Sequence, residues 1–181
     1  LSATQKTAAN NGDNLVNYLR GQSTYEADTN TTDPLYRGRD HILGDIANAM
    51  PVYVQKAPFS YEKFDLSYAG FKADQKAREG TVYAAANDGM LHAFYAPDDD
   101  PNVPGGTELW AYVPTAVMPN MRHLADTDYQ HRYFVDGSPT VADVCSSPSS
   151  GGGSPSVCDS KSAWHTVLIG GLDKGGCGYY A

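Results

Sequence analysis

Three kinds of side chain in this sequence could do chemistry by their type and spacing. They are the run Asp98-Asp99-Asp100 in "PDDDPNVPGGTE", five histidines at 41, 92, 123, 131 and 165, and three cysteines at 145, 158 and 177. Aspartates on a turn offer hard oxygen ligands, which is calcium chemistry in kind, and Asp98 and Asp100 are the calcium candidates. The D-x-N/D-x-D-G alternation of a calcium loop is absent, and three successive carboxylates cannot all face one ion. The stretch therefore reads first as an acidic, solvated loop. The histidines show no ligand spacing and read as strand or loop residues held by local hydrogen bonds. "GGLDKGG", residues 170 to 176, is glycine-rich but leads into a strand, so it lacks the helix N-terminus that cradles phosphate. No GxSxG, HExxH, P-loop or GxGxxG motif occurs, and no catalytic residue is expected.

Cys145 and Cys158 bracket "SSPSSGGGSPSV", twelve residues of which only Val157 is apolar. Such a loop cannot bury enough surface to order itself, and a disulfide across its neck is the expected remedy, with two free thiols as the alternative. A bridge of this kind implies an oxidising compartment. Zinc is disfavoured, because two cysteines at this spacing with no CxxC or HxxxH partner do not make a tetrahedral site. Cys177, between Gly176 and Gly178, is either a small buried filler or a thiol whose partner lies elsewhere.

The elements that must position these residues follow from composition and pattern. The chain has 181 residues, 41% of them hydrophobic, enough for one domain with a real core. Its formal charge of −8 leaves nothing to neutralise a phosphate backbone on a large scale, so neither nucleic acid nor an anionic membrane surface is the expected partner. No window approaches the ~18 to 20 apolar residues of a spanning helix. The opening lacks a basic and then apolar leader, and the chain reads as a piece of a longer protein, with any signal peptide upstream.

Residues 1 to 12 read as polar and featureless. "GDNLVNYLRG" then places Leu15, Val16 and Leu19 at helical spacing, with Asp13 near the start, Arg20 in the last turn and Gly21 as a C-cap. Plentiful Gly, Pro and Tyr favour a mostly β protein, with strands expected at 50–56, 81–86, 90–96 and 108–114. Between the first two strands lie 24 residues, 57 to 80, read as a long loop. Long ordered loops tend to carry interactions, and Tyr61 and Tyr68 are its candidate contact residues if exposed. Trp110 and Trp164 are expected in packed strands.

The hairpin "VYAAANDGMLHAFYA", from residue 82, overlays "VLIGGLDKGGCGYYA", from residue 167, without gaps, setting Asp88 on Asp173 and Phe94-Tyr95 on Tyr179-Tyr180. Each copy is preceded by a strand with a Gly-Asp or Asp-Gly lead and a proline, "LGDIANAMPVYV" and "FVDGSPTVADV", giving a period of about 85 to 88 residues. Sheets repeated at such a period pack on one another, and a four-stranded unit is a β-propeller blade. The expected fold is a partial β-propeller of about two four-stranded antiparallel blades, preceded by a short helix. Blade one uses strands near 51, 81, 90 and 108, and blade two those near 139, 165 and 177, its fourth strand lost at the end of the chain. Residues 1–35 form a linker with the short helix, and 36–181 the blades.

The repeat resembles that of quinoprotein-type propellers. Taken in order, "NLVNYLRG", "YRGRDHILGDIANAMPVYV", "VYAAANDGMLHAFYA", "YVPTAVMPNM", "YFVDGSPTVADV" and "WHTVLIGGLDKGGCGYYA" resemble the PilY/PilC family of type IV pilus tip-associated proteins, at the start of its C-terminal propeller. The resemblance implies a secreted, tip-located protein acting in pilus assembly, adhesion and control of extension and retraction. Its implied partners are minor pilins and a host or abiotic surface. It implies no cofactor in this segment, and calcium for the full-length protein. Residues 1–35 would lead out of a von Willebrand A-like domain, the Ser/Gly loop looks like a lineage-specific insertion, and "RGRD" at 37–40 is not an integrin motif. The rival readings are a quinone-dependent oxidoreductase and a periplasmic envelope-assembly scaffold.

Overall fold

The computed structural model describes residues 2–29, 32–97, 104–149 and 157–181. Asp98, Asp100 and most of the Ser/Gly loop lie outside them.

Alternation of small and large apolar residues around Asn87-Asp88-Gly89 builds the first hairpin, β2 (Thr81–Ala85) against β3 (Leu91–Tyr95). Gly89 adopts a φ of +93° at the turn, a conformation that side chains resist. Asp88 Oδ1 accepts the Met90 amide at 3.1 Å and fixes the return. β1 (Val52–Val54) pairs with β2 and β4 (Glu108–Tyr112) with β3, all antiparallel, giving a four-stranded sheet in sequence order. The second sheet is three-stranded, β5-β8-β9, from β5 (Thr140–Cys145), β8 (Trp164–Gly171) and β9 (Tyr179–Tyr180). A two-stranded ribbon, β6 (Pro148–Ser149) with β7 (Val157–Cys158), leaves β5.

The two sheets stack as blades. Val54, Thr81 and Tyr83 of the first look across a small cavity onto Val141, Thr166 and Leu168 of the second. At one end of the stack Met90, Leu91, Val117, Met121, Phe134, Leu172 and Tyr180 close the main core. The gapless overlay of the hairpins captures their kinship but not their register. The first turn closes through Ala86 N–H to Met90 O and the second through Leu172 N–H to Gly178 O, so the second turn is two residues longer. The overlay sets Ala86 one residue short of Leu172 and Met90 three short of Gly178, and such odd shifts send each side chain to the opposite face, so the overlay cannot assign facing residues.

Polar residues lock the blades together. Asn48 donates to Asp136 from its amide (3.2 Å) and from Nδ2 (2.6 Å), and Met50 N–H donates to Ser138 Oγ at 2.9 Å. Asn87 Nδ2 donates to Asp45 at 2.9 Å, while its Oδ1 accepts the Phe134 amide at 3.1 Å. Asn87 and Asp136 are both buried. Asp136 of the Asp-Gly lead is thus an interblade tie, while Asp45 of the Gly-Asp lead holds Asn87, whose Oδ1 reaches across to Phe134. Asp136→Ala removes both hydrogen bonds that Asn48 makes to a buried carboxylate and is expected to cost about 1–3 kcal/mol, measured by urea unfolding.

The N-terminal stretch departs from expectation. Residues 3–9 form helix α1 (Ala3–Ala9), because Ser2 and Gln5 close a capping box on each other. The anticipated helix is present as α2 (Gly12–Leu19), with Gly21 at a φ of +98° just past its end. Both helices join a second core with Leu35, Tyr36 and Ala125. Tyr18 OH donates to Leu124 O at 3.3 Å, and Arg39, ion-paired to buried Glu26, lies 3.8 Å from the centre of the Tyr18 ring. Residues 2–29 are therefore docked on the blades.

Candidate functional site

The segment between β1 and β2, read as a loop, is built. It holds a 3-10 turn (Tyr61–Lys63), helix α3 (Ser67–Asp74) and a second 3-10 turn (Gln75–Ala77). Tyr68 and Phe71, three apart on α3, point into one cluster with Ala57, edged by Phe59, Tyr61 and Trp164. Phe59 stacks on Tyr61 at 5.0 Å, Tyr61 on Trp164 at 5.8 Å, and Tyr68 meets Trp164 edge-on at 4.9 Å. Tyr68 is 0% exposed, and its hydroxyl donates to buried Asp143 of β5 at 2.6 Å. Burial, then the Asp143 carboxylate, holds the Tyr68 pKa well above the ordinary tyrosine range. Tyr68 is therefore an anchor of this segment, not its contact surface, which corrects the sequence expectation for that residue, while Tyr61 is half-buried at the edge of the cluster. Tyrosine is amphipathic, and here a carboxylate on the other blade satisfies its polar end.

The second insertion meets the first. Cys145 and Cys158 are disulfide-bonded, with Cα atoms 5.8 Å apart. The Cys158 amide donates to Asp65, whose carboxylate also accepts Ser67 N–H (2.9 Å) and Oγ–H (2.6 Å). Trp164 Nε1–H donates to Ser67 Oγ at 2.9 Å, and Lys161 pairs with Asp74 at 2.8 Å. One insertion from each blade thus forms a single braced platform on the flank of the stack. Its outermost side chains are Phe64 (81% exposed) and Leu66 (86% exposed), on either side of Asp65. Trp164 packs as expected. Trp110 does not: it is half exposed on β4, an edge strand among the described residues, every residue of which is exposed.

On the opposite face of the first sheet, α2, Ile42-Leu43, β4 and the 3-10 helix Met118–Ala125 enclose an apolar groove of about 1030 Å³. A charged cluster forms part of its wall. His92 is buried, with Nδ1 2.6 Å from Glu108 Oε1 and Nε2 3.0 Å from Asp88 Oδ2. Asp88 also accepts the Gly44 amide at 2.8 Å, tying the cluster to the residues beside Leu43. Burial alone would lower the His92 pKa; the hydrogen bonds and charge of Asp88, then of Glu108, outweigh it and hold the pKa above the ordinary value. This stabilisation is complete below the unfolded histidine pKa and is lost as pH rises through the raised folded value. The melting temperature is therefore expected to fall through that alkaline-side window, and His92→Asn to flatten the profile.

Sequence spacing hid this cluster because Asp88, His92 and Glu108 belong to a turn and two strands that only the hairpin register brings together. His123 and His131 likewise face carboxylates, Asp126 and Asp45, and His165 meets Ser146. Among the described residues no group of three or more His, Cys, Asp or Glu is arranged to hold a metal ion. Cys177 is exposed and unbonded. No helix among the described residues is long and apolar enough to cross a membrane.

Residues 43–181 match the family profile described as the PilY1 beta-propeller domain. The chain belongs to the PilY1 family. It is 40% identical over 172 residues to a type IV pilus biogenesis factor PilY1 homolog of Xylella fastidiosa, covering 92% of this chain and 12% of that protein. It is 39% identical over 178 residues to PilY1 of Pseudomonas aeruginosa strain PAK, covering 94% of this chain and 13% of that protein. The chain thus spans only about an eighth of these PilY1 relatives. The crystal structure of the P. aeruginosa PilY1 C-terminal domain is 37% identical, covering 68% of this chain and 20% of that one, with a TM-score of 0.41. The PilY1-family segment contains both blades, the Asn87 and Asp136 ties, and both insertions of the platform.

Proposed function

We propose that this chain is part of a type IV pilus biogenesis factor that acts at the pilus tip. Its work there is protein-protein contact in assembly, in control of extension and retraction, and in surface adhesion, and not catalysis. The observation that carries this reading is the identity of about 40% along more than nine-tenths of the chain to proteins named as pilus biogenesis factors. The braced platform supports it physically. Propeller blades supply a rigid frame, and insertions between strands are where such frames carry contacts. Minor pilins are the proposed partners at the filament end, and a host or abiotic surface the partner beyond it. The proposed location is extracellular, reached through the periplasm, an oxidising route that suits the Cys145–Cys158 bridge. Calcium is proposed for the full-length protein, at a site beyond the groups described above.

The test is immunogold labelling of piliated cells with antibody raised against this chain. Label at filament tips supports the reading. Label confined to the periplasm, with outer-membrane proteins as the co-purifying species, would replace it with an envelope-assembly scaffold.

A further inference from the structure

The cluster around His92 is complete in only one protonation state. Both ring nitrogens stand at hydrogen-bond distance from a carboxylate, Nδ1 2.6 Å from Glu108 and Nε2 3.0 Å from Asp88. Only the imidazolium has two N–H groups; the neutral ring keeps one and presents a lone pair at the other nitrogen. A lone pair facing a carboxylate is repelled, so loss of the proton breaks one of the two contacts.

The two carboxylates are not held alike. Asp88 is fixed in the hairpin turn by the amides of Gly44 and Met90, at 2.8 and 3.1 Å, and its side chain is 15% exposed. Glu108 has no other side-chain hydrogen bond among the described residues, and its side chain is 48% exposed. It opens the edge strand β4 opposite Phe94, where the register with β3 shifts. The neutral ring therefore keeps Nε2–H on Asp88, and Glu108 is the side chain that leaves. The other charged groups nearby do not reverse this choice. Asp45, beside Gly44, is engaged by Asn87 and His131. Arg20, at the end of α2, and Arg122, on the 3-10 helix, line the same groove with no ion pair among the described residues.

His92 and Glu108 stand in the wall of the apolar groove together with Phe94, whose ring stacks on His92 at 5.8 Å. We propose that His92 is a proton-operated latch on this groove. Protonated, it clasps Glu108 across the wall; neutral, it releases Glu108 to solvent and leaves an uncharged wall of His92 and Phe94. The carboxylates keep the proton on His92 past the ordinary histidine value, so the latch is shut below the raised value and opens as pH rises through it. Asp88 and the hairpin stay in place, so the change is confined to one side chain and the surface behind it. The proposal does not rest on the pilus reading, since it needs only the first sheet and its groove.

The experiment is a pH titration of the 181-residue chain, read by nitrogen-15 NMR of the His92 ring and by fluorescence of Nile red, an uncharged apolar dye. The ring is expected to pass from imidazolium to the Nε2–H tautomer with a midpoint above the ordinary histidine value, and the dye emission to rise and move to the blue with the same midpoint. Glu108→Ala should hold the emission at its high level at every pH. Glu108→Gln, whose amide can donate to the neutral ring, should abolish the dye step and lower the His92 midpoint by about one pH unit or more. Glu108 is half exposed, so both variants should keep the parent's circular dichroism. An Nδ1–H tautomer above the midpoint, a dye step that survives in Glu108→Gln, or a flat dye response in the parent while His92 titrates would each overturn the proposal.

Discussion

Tyr68→Ala is expected to destabilise the chain by about 3–5 kcal/mol, the range for removing a fully buried aromatic ring. At roughly 2–4 °C per kcal/mol for a chain of this size, the melting temperature should fall by more than about 6 °C. The loss has two parts. The ring sits among Tyr61, Phe71 and Trp164, and the cavity left behind cannot be filled by α3 without breaking the tie from Ser67 to Trp164. The hydroxyl is a donor to Asp143, which would keep Thr166 Oγ1–H, at 2.7 Å, as its side-chain donor among the described residues. Tyr68→Phe removes the second part alone and should cost about 1–3 kcal/mol. Thermal unfolding of the two variants separates the terms. A Tyr68→Ala variant that melts with the parent would mean that Tyr68 lies on the surface.

The double variant Cys145→Ser, Cys158→Ser is expected to lose about 3 kcal/mol, because the bridge closes a loop of 13 residues' separation and constrains the unfolded chain accordingly. The structure adds a consequence that loop length alone does not. The Cys158 amide anchors Asp65, and Asp65 holds the start of α3, so the damage should spread into the other blade's insertion. Amide exchange in Ser67–Asp74 should speed up in the double variant, or in the parent under reductant, while the β2–β3 hairpin stays protected. If exchange rises only next to the cysteines, the two insertions are not one platform.

Much of this architecture was legible in the sequence, for reasons that are local. Asn-Asp-Gly between two alternating runs can hardly be other than a tight hairpin, and its second copy implies blade stacking whatever the details of register. The two cysteines bracket a stretch with almost nothing to bury, so their pairing could be read from composition alone. The helix at 12–19 announced itself by spacing and a C-terminal glycine.

What was hidden depends on partners distant in sequence. "SATQ" at the start contains a capping box, but with few apolar residues behind it the helix forms only because it docks beside α2 and Tyr36. The 57–80 segment looked like a loop because α3 is short and weakly amphipathic; Tyr68 and Phe71 are buried by Trp164, nearly a hundred residues on. The same ignorance put Tyr68 on the surface and left Phe64 and Leu66 unremarked. His92 was passed over because its carboxylates come from a turn four residues away and a strand sixteen away, a spacing that matches no ligand motif.

The central claim is that these blades belong to a pilus-tip protein that works by contact. The most direct measurement is a pull-down from sheared pili and periplasmic extract with the 181-residue chain as bait, read by mass spectrometry with and without calcium. The account predicts recovery of minor pilins, and reduced recovery when the platform is loosened by the cysteine double variant. Recovery of outer-membrane proteins alone, unchanged by loosening the platform, would contradict it.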